Sequence, residues 1–270
     1  MSELISILSI PVIRNALIGM VFAGATLSLL GVVVVSLHLQ VMRFMLMHVG
    51  LLGAAAAIAL GASASAGAFA LVPVASILLG LFGKGRTTSA SAAGGLFMTG
   101  SLAGAFILLA RAGVPAMDVF AVFAGNILML RSADLVSVIV LGAIIVAAFV
   151  LFYREIQLVL YDAERAQALG VPVRAVILGL FLLLGAGIAA ALRLVGALLV
   201  DAIILLPAVG ALRFARGLGS ALLLSSAFGV AGTSGGFLLA VYFDLPIGAS
   251  AAAVASVLLG LTALISPRTG

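Results

Sequence analysis

The chain has 270 residues, of which 65% are hydrophobic and only 8% charged, with a net charge of +5. A soluble domain carries about 25% charged residues and about half apolar ones, so water cannot solvate most of this surface and the composition excludes a soluble globular protein. The basic residues lie scattered between apolar runs, which fits a membrane protein and excludes the clustered basic face of a nucleic-acid binder. The absence of cysteine excludes disulfides and thiolate metal sites.

The chain opens on Met1-Ser-Glu-Leu-Ile-Ser-Ile-Leu-Ser-Ile-Pro-Val-Ile-Arg-Asn15. It has no basic leader region, and the apolar run after Arg14 is longer than that of a cleavable signal, so it reads as a first span that stays. Charges then punctuate nine apolar stretches at roughly 15–37, 46–62, 67–83, 92–110, 135–153, 174–192, 194–211, 218–241 and 246–266. About 20 apolar residues cross a bilayer as a helix, and the stretches lack the alternation of a membrane barrel. The expected fold is therefore all-α: a polytopic transmembrane helical bundle of eight to nine spans, forming one membrane domain over residues 1–270 in the cell membrane. The second and third spans are short and joined by Gly61-Ala-Ser-Ala-Ser-Ala-Gly67, so they can form a broken or tilted pair.

Orientation follows from Lys and Arg. With the C-terminus inside, the inner connections hold Arg43, Lys84, Arg86, Arg154, Arg165, Arg174, Arg213, Arg216 and Arg268, and the outer ones only Arg14, Arg111, Arg131 and Arg193. Glycines four apart, as in Gly100-Ser-Leu-Ala-Gly104 and Gly232-Thr-Ser-Gly-Gly236, let helices approach closely in lipid, inside one bundle or across a seam between two copies.

The longest charged segment, Tyr153 to Val173, falls on the inner side. Within it Asp162 can cap a helix by accepting from the free amides of the next turn, and Glu164 then sits in the positive first turn. Gly170 suits a left-handed stop, and Pro172 prevents continuation. A short helix is expected over 163–169, with Ala163, Ala166 and Leu169/Gly170 along one face. Small residues on an open face suit coverage by another protein; a solvated loop with an incidental helix is the plainer alternative.

The run Leu160-Tyr-Asp-Ala-Glu-Arg-Ala-Gln-Ala-Leu-Gly-Val-Pro-Val173 resembles the cytoplasmic coupling segment of the zinc/manganese/iron ABC permease family. The similarity continues through Leu194–Val200, Ala202–Ala208 with Arg213 and Arg216, Asn15–Gly19 to Gly31–Val35, and Tyr242-Phe-Asp-Leu-Pro246, and so covers most of the chain in order. The resemblance implies a transport subunit that hydrolyses nothing itself. In that family the coupling segment docks on a separate ATP-binding subunit, which holds ATP and Mg. Two permeases and two ATP-binding subunits receive a metal ion, the substrate, from an extracytoplasmic binding protein. It implies coupling roles for Asp162, Glu164, Ala166 and Gly170. The chain has no phosphate-binding loop of its own: Gly80-Leu-Phe-Gly-Lys84 lacks the spacing, because Leu78 stands where the first Gly belongs.

Candidates for the substrate path are few. A polar group at membrane depth is a functional hypothesis by default. His48 lies early in the second span and carries a metal-ligating imidazole. The family motif here reads Asp-Ala-x-Ser-His. Aligned on His48, its Asp position is Phe44 and its Ser position Met47, so half of a carboxylate–imidazole pair is missing and a satisfied packing histidine is the plainer reading. Asp201, eight residues past Arg193, is about 12 Å deep at the helical rise. It can be a metal ligand or an ion-pair partner for an Arg on a neighbouring helix. Asp118, Asn126 and Asp134 fall in the outer segment with Arg111 and Arg131 and can line an outer gate, face a binding protein, or sit in a solvated loop. Two histidines and no cysteine make a zinc-enzyme site implausible. Two other cargo and energy readings stay open: an ABC importer of a metal chelate or small organic solute, and a gradient-driven secondary transporter or channel that needs no 154–173 segment.

Overall fold

The computed structural model describes residues 10–82, 87–114 and 132–265. These form α1 (Pro11–Ser36), α2 (Gln40–Ala59), α3 (Ala64–Phe82), α4 (Thr87–Arg111), α5 (Ser132–Leu151), α6 (Tyr153–Tyr161), α7 (Ala163–Ala168), α8 (Val173–Val195), α9 (Ala197–Leu212), α10 (Leu218–Phe243) and α11 (Ile247–Ile265). No strand occurs among the described residues. In lipid each backbone amide must be satisfied within its own segment, and the helix does this.

Eight helices (α1–α5, α8, α10 and α11) are long and apolar enough to cross a membrane. Each of the nine expected stretches falls on a helix, but they are not equal. The seventh corresponds to α9, which has 16 residues and is about 24 Å long, short of the hydrocarbon thickness of about 30 Å. The second and third are full-length helices of 20 and 19 residues, not a broken pair. For the second, the reason is Arg43. It was expected in an inner connection, yet it lies inside α2 and is only 1% exposed. Its Nη1 donates to Met47 Sδ at 3.6 Å, and its guanidinium stands 5.0 Å from the Phe44 ring centroid. Those contacts give the cation a lining, and α2 begins six residues before the expected 46.

The described residues divide into two compact units. The first takes residues 10–32, 132–146 and 193–265. In it α9, α10 and α11 pack on one another. Gly24 of α1 and Gly229 of α10 meet so closely that a Cβ added to Gly24 would stand 2.5 Å from the Gly229 carbonyl oxygen, and one on Gly229 would run into the Gly24 carbonyl. Beside this crossing the buried Ser225 hydroxyl donates to the Ser28 carbonyl at 2.8 Å. Gly232 and Gly236 face Ala255 and Ala251 of α11, so this glycine pair packs within one chain.

The second unit takes residues 33–82, 87–114 and 147–192. Here α2 packs on both α3 and α4. Gly53 and Gly67 close the α2–α3 hairpin, where a Cβ on Gly53 would lie 2.5 Å from the Gly67 oxygen. Leu51, Ala55, Ala105 and Leu109 form the α2–α4 core. Gly104 faces Leu52, whereas Gly100 has open space around it.

Candidate functional site

The polar segment after α5 belongs wholly to the second unit. The helical ladder runs through Phe152, whose amide bonds to the Ala148 oxygen and whose carbonyl accepts from the Ile156 amide. Phe152 departs from helical dihedrals (φ −108°, ψ 26°) and the chain continues as α6, with Ile156 and Val159 buried. Sequence reading left 154–161 as undivided charged chain. Its apolar spacing, Tyr153, Ile156 and Val159/Leu160, is that of an amphipathic helix.

Asp162 closes α6 and opens α7. Its amide bonds to the Leu158 oxygen at 2.9 Å, and its own carbonyl accepts from the Ala166 amide at 2.9 Å. Its backbone is extended (φ −160°, ψ 103°), the usual state of an N-cap. Oδ1 accepts from the Glu164 and Arg165 amides, each at 3.0 Å, and Oδ2 pairs with Arg165 Nε at 3.0 Å. The exposed Glu164 occupies the first turn, where its charge meets the positive end of the helix dipole.

The other end is a Schellman stop. The Gly170 amide bonds to the Gln167 oxygen and the Val171 amide to the Ala166 oxygen, each at 3.0 Å. Gly170 has φ +82° with nothing within 4 Å of an added Cβ, so the demand for glycine is conformational and not steric. Replacing Asp162 by Ala removes the acceptor for two amides and should cost about 1 kcal/mol. The expected readout is about fivefold faster amide exchange over Ala163–Ala168, with Asp162→Asn close to the parent; equal exchange in all three would refute the cap's contribution.

One expectation is corrected. Ala166 does not line an open face: it is 0% exposed, tucked beneath a helix whose main packing neighbour is α6. Ala163, Leu169 and Gly170 are exposed as expected, together with Glu164, Arg165, Gln167 and Ala168 and with Tyr161 just before the cap. Sequence spacing could not reveal that Ala166 is covered, because burial of a six-residue helix depends on what lies under it.

In α2, His48 is half-buried and its Nδ1 stands 2.8 Å from the Phe44 carbonyl oxygen. A carbonyl only accepts, so Nδ1 carries a proton, and in the neutral ring it is Nε2 that holds the lone pair. Metal-bound histidines commonly use that same support for the other ring nitrogen. The ring stacks on Phe44, centroids 6.3 Å apart and 21° between planes. Phe44 contributes no donor atom, and among the described residues no three His, Cys, Asp or Glu side chains converge. Asp201 is the fifth residue of α9, following the break at Gly196 (φ 74°); its side chain lies outside the described residues. Asp118, Asn126 and Arg131 lie outside them as well. Asp134 is in the first turn of α5 and Arg111 in the last turn of α4.

The model of the ABC 3 transport family matches residues 9–266. The manganese transport system membrane protein MntC of Halalkalibacterium halodurans is 28% identical over 264 residues, 98% of this chain and 90% of that protein. The manganese import system permease protein ScaB of Streptococcus gordonii is 26% identical, covering 95% of this chain and 92% of its own. Among solved structures, PsaBC from Streptococcus pneumoniae in complex with Fab superposes with a TM-score of 0.87 at 26% identity, over 99% of this chain and 96% of that one. With eight membrane-length helices and a family match from near one end to the other, this is a multi-pass membrane protein that belongs to the ABC 3 transport family.

Proposed function

We propose that the chain is the permease subunit of an ATP-binding-cassette importer that carries a divalent transition-metal ion of the manganese, zinc and iron class, manganese foremost. The observation that carries this reading is α7: a short helix fixed at both ends, standing in a polar segment between membrane-length helices, in a chain whose relatives are manganese permeases. Such a helix transmits a push without bending, because its caps tie it to α6 on one side and to the start of α8 on the other. The ATP-binding subunit, in two copies, docks on the 154–173 segment and hydrolyses ATP. A second copy of the permease completes the path, and an extracytoplasmic binding protein delivers the ion. ATP-driven closure of the partners moves α7, and the path opens alternately outward and inward. His48 Nε2 is the ligand on α2 that the ion meets, and Asp201 is the candidate carboxylate on α9.

A specific observation favours a second cargo. Phe44 supplies no oxygen where the family motif has Asp, and the neighbouring Arg43 is buried; a metal chelate or small organic solute asks for less direct coordination than a bare ion. The test is uptake into vesicles that hold the assembled complex, with Mn, Zn, Fe, Co and Ni scored together, with and without ATP. ATP-dependent accumulation of one metal is expected, and His48→Ala should lower it about tenfold or more, as outer-shell and ligand losses generally do. Intact complexes that hydrolyse ATP yet accumulate no metal would overturn the metal reading in favour of the second cargo.

A further inference from the structure

We propose that Tyr161 and Leu169 are paired apolar anchors that grip the ATP-binding subunit, and that the receiving surface is an apolar groove and not a charged one. This rests on the reading of α7 as the coupling helix. Tyr161 is 83% exposed and Leu169 is 68% exposed. Most of the other large exposed apolar side chains lie on the long apolar helices, where lipid covers them. These two stand instead at either end of α7, among Asp162, Glu164 and Arg165, in a stretch too polar to enter hydrocarbon.

Direction follows from helical geometry. At about 100° per residue, Tyr161 points about 140° away from Ile156 and about 160° away from Val159, the two buried residues of α6. It therefore projects away from the buried face of α6. Leu169 is the C-cap of α7 and immediately precedes the left-handed Gly170. Both are held on backbone that the Asp162 cap and the Schellman stop fix in place, so little ordering is left for the moment of binding. Pre-ordered aromatic and aliphatic anchors are the groups that dominate protein interfaces, tyrosine especially.

The charges of the segment argue for the groove's character. Arg154 and Arg165 stand against Glu155, Asp162 and Glu164, so the 154–173 segment has a formal charge of only −1, which Arg174 next to it at the start of α8 offsets, and Asp162 and Arg165 already pair with each other. A surface with so little net charge gains little from an oppositely charged partner, and what it gains is screened within about 10 Å at 0.1 M salt. Capture of the ATP-binding subunit should therefore withstand salt and depend on the two apolar side chains.

The experiment uses the full-length permease co-expressed with its ATP-binding subunit and purified in detergent. Leu169→Asp, Tyr161→Ser and, as a comparator on the same helix, Gln167→Ala are each measured at low salt and at about 0.5 M salt, where the Debye length falls to a few ångströms. Monodispersity of each permease alone checks that it is folded. Expected are capture by the parent at both salts, about tenfold or greater loss in Leu169→Asp and Tyr161→Ser, and a loss below about fivefold in Gln167→Ala, which lies on the same surface without being an anchor. Equal capture by the two anchor variants overturns the proposal and leaves the coupling reading standing, as does parent capture that disappears at high salt. A parent permease that captures no ATP-binding subunit at all overturns the coupling reading itself.

Discussion

Replacing Gly229 by Leu should collapse the α1–α10 crossing, whereas the same replacement at Gly260 should pass almost unnoticed. Both glycines lie on helices of the first unit. At Gly229 the new Cβ meets the Gly24 carbonyl and then the Ser28 Cβ at 3.0 Å, while at Gly260 nothing lies within 4 Å. Overpacking a core costs about 1–3 kcal/mol when side chains can yield. Here the obstacle is backbone, which yields least, so the cost belongs at or above the top of that range. The nearby Ser225 to Ser28 hydrogen bond would open with it. A loss of about 3 kcal/mol corresponds to roughly 6–12 °C in the melting temperature of a chain this size. It is read from circular dichroism or from the monodisperse fraction surviving heat in detergent. Equal melting of the two variants would mean that the close approach of α1 and α10 carries no stability.

That contrast separates what residue spacing can tell from what it cannot. Helix existence and order were legible, because a 65% hydrophobic chain cut by isolated charges leaves lipid-spanning helices as the only economical solution. Which glycines touch was not legible. Gly100 and Gly104 share a motif, yet one faces open space and the other Leu52, since the partner helix is chosen by tertiary packing. Arg43 shows the opposite error. Charge was read as punctuation, but a thioether and an aromatic face accept a guanidinium inside α2, and the helix runs straight through it.

The candidate site divides along the same line. Asp162, Gly170 and Pro172 could be assigned roles from sequence because caps are local: their partners lie within five residues. Leu169 is exposed as its spacing suggests, whereas Ala166 is buried and the exposure of Tyr161 was not legible, because exposure depends on how α6 and α7 pack. For His48, spacing predicted only an imidazole at the right depth. The bond to the Phe44 carbonyl, which decides which nitrogen is available, needs the backbone of α2.

The largest functional effect is expected at Gly170. Valine there should leave a complex that assembles and hydrolyses ATP but no longer imports. At φ +82° a β-branched residue is a true outlier, at a cost of about 1–3 kcal/mol, which shifts the population of the capped geometry by about five- to a hundredfold. The strain has no outlet in nearby space, because the open surroundings of Gly170 do nothing for a torsional penalty. The chain would relieve it by giving up the left-handed turn, and with it the Val171 to Ala166 and Gly170 to Gln167 bonds that end α7. A frayed α7 keeps both apolar side chains, Tyr161 and Leu169, so the ATP-binding subunit is still captured, but the link from α7 to α8 becomes slack and the stroke is absorbed. Asparagine, which tolerates the left-handed region, should retain most transport. Uptake and ATP hydrolysis measured on the same vesicles give the ratio that matters: hydrolysis near the parent level with uptake down about tenfold or more for valine, and near-parent values of both for asparagine. Full import by the valine variant would remove Gly170 from the coupling path. Equal loss in valine and asparagine would place its importance in side-chain contact with the partner, and not in the backbone turn.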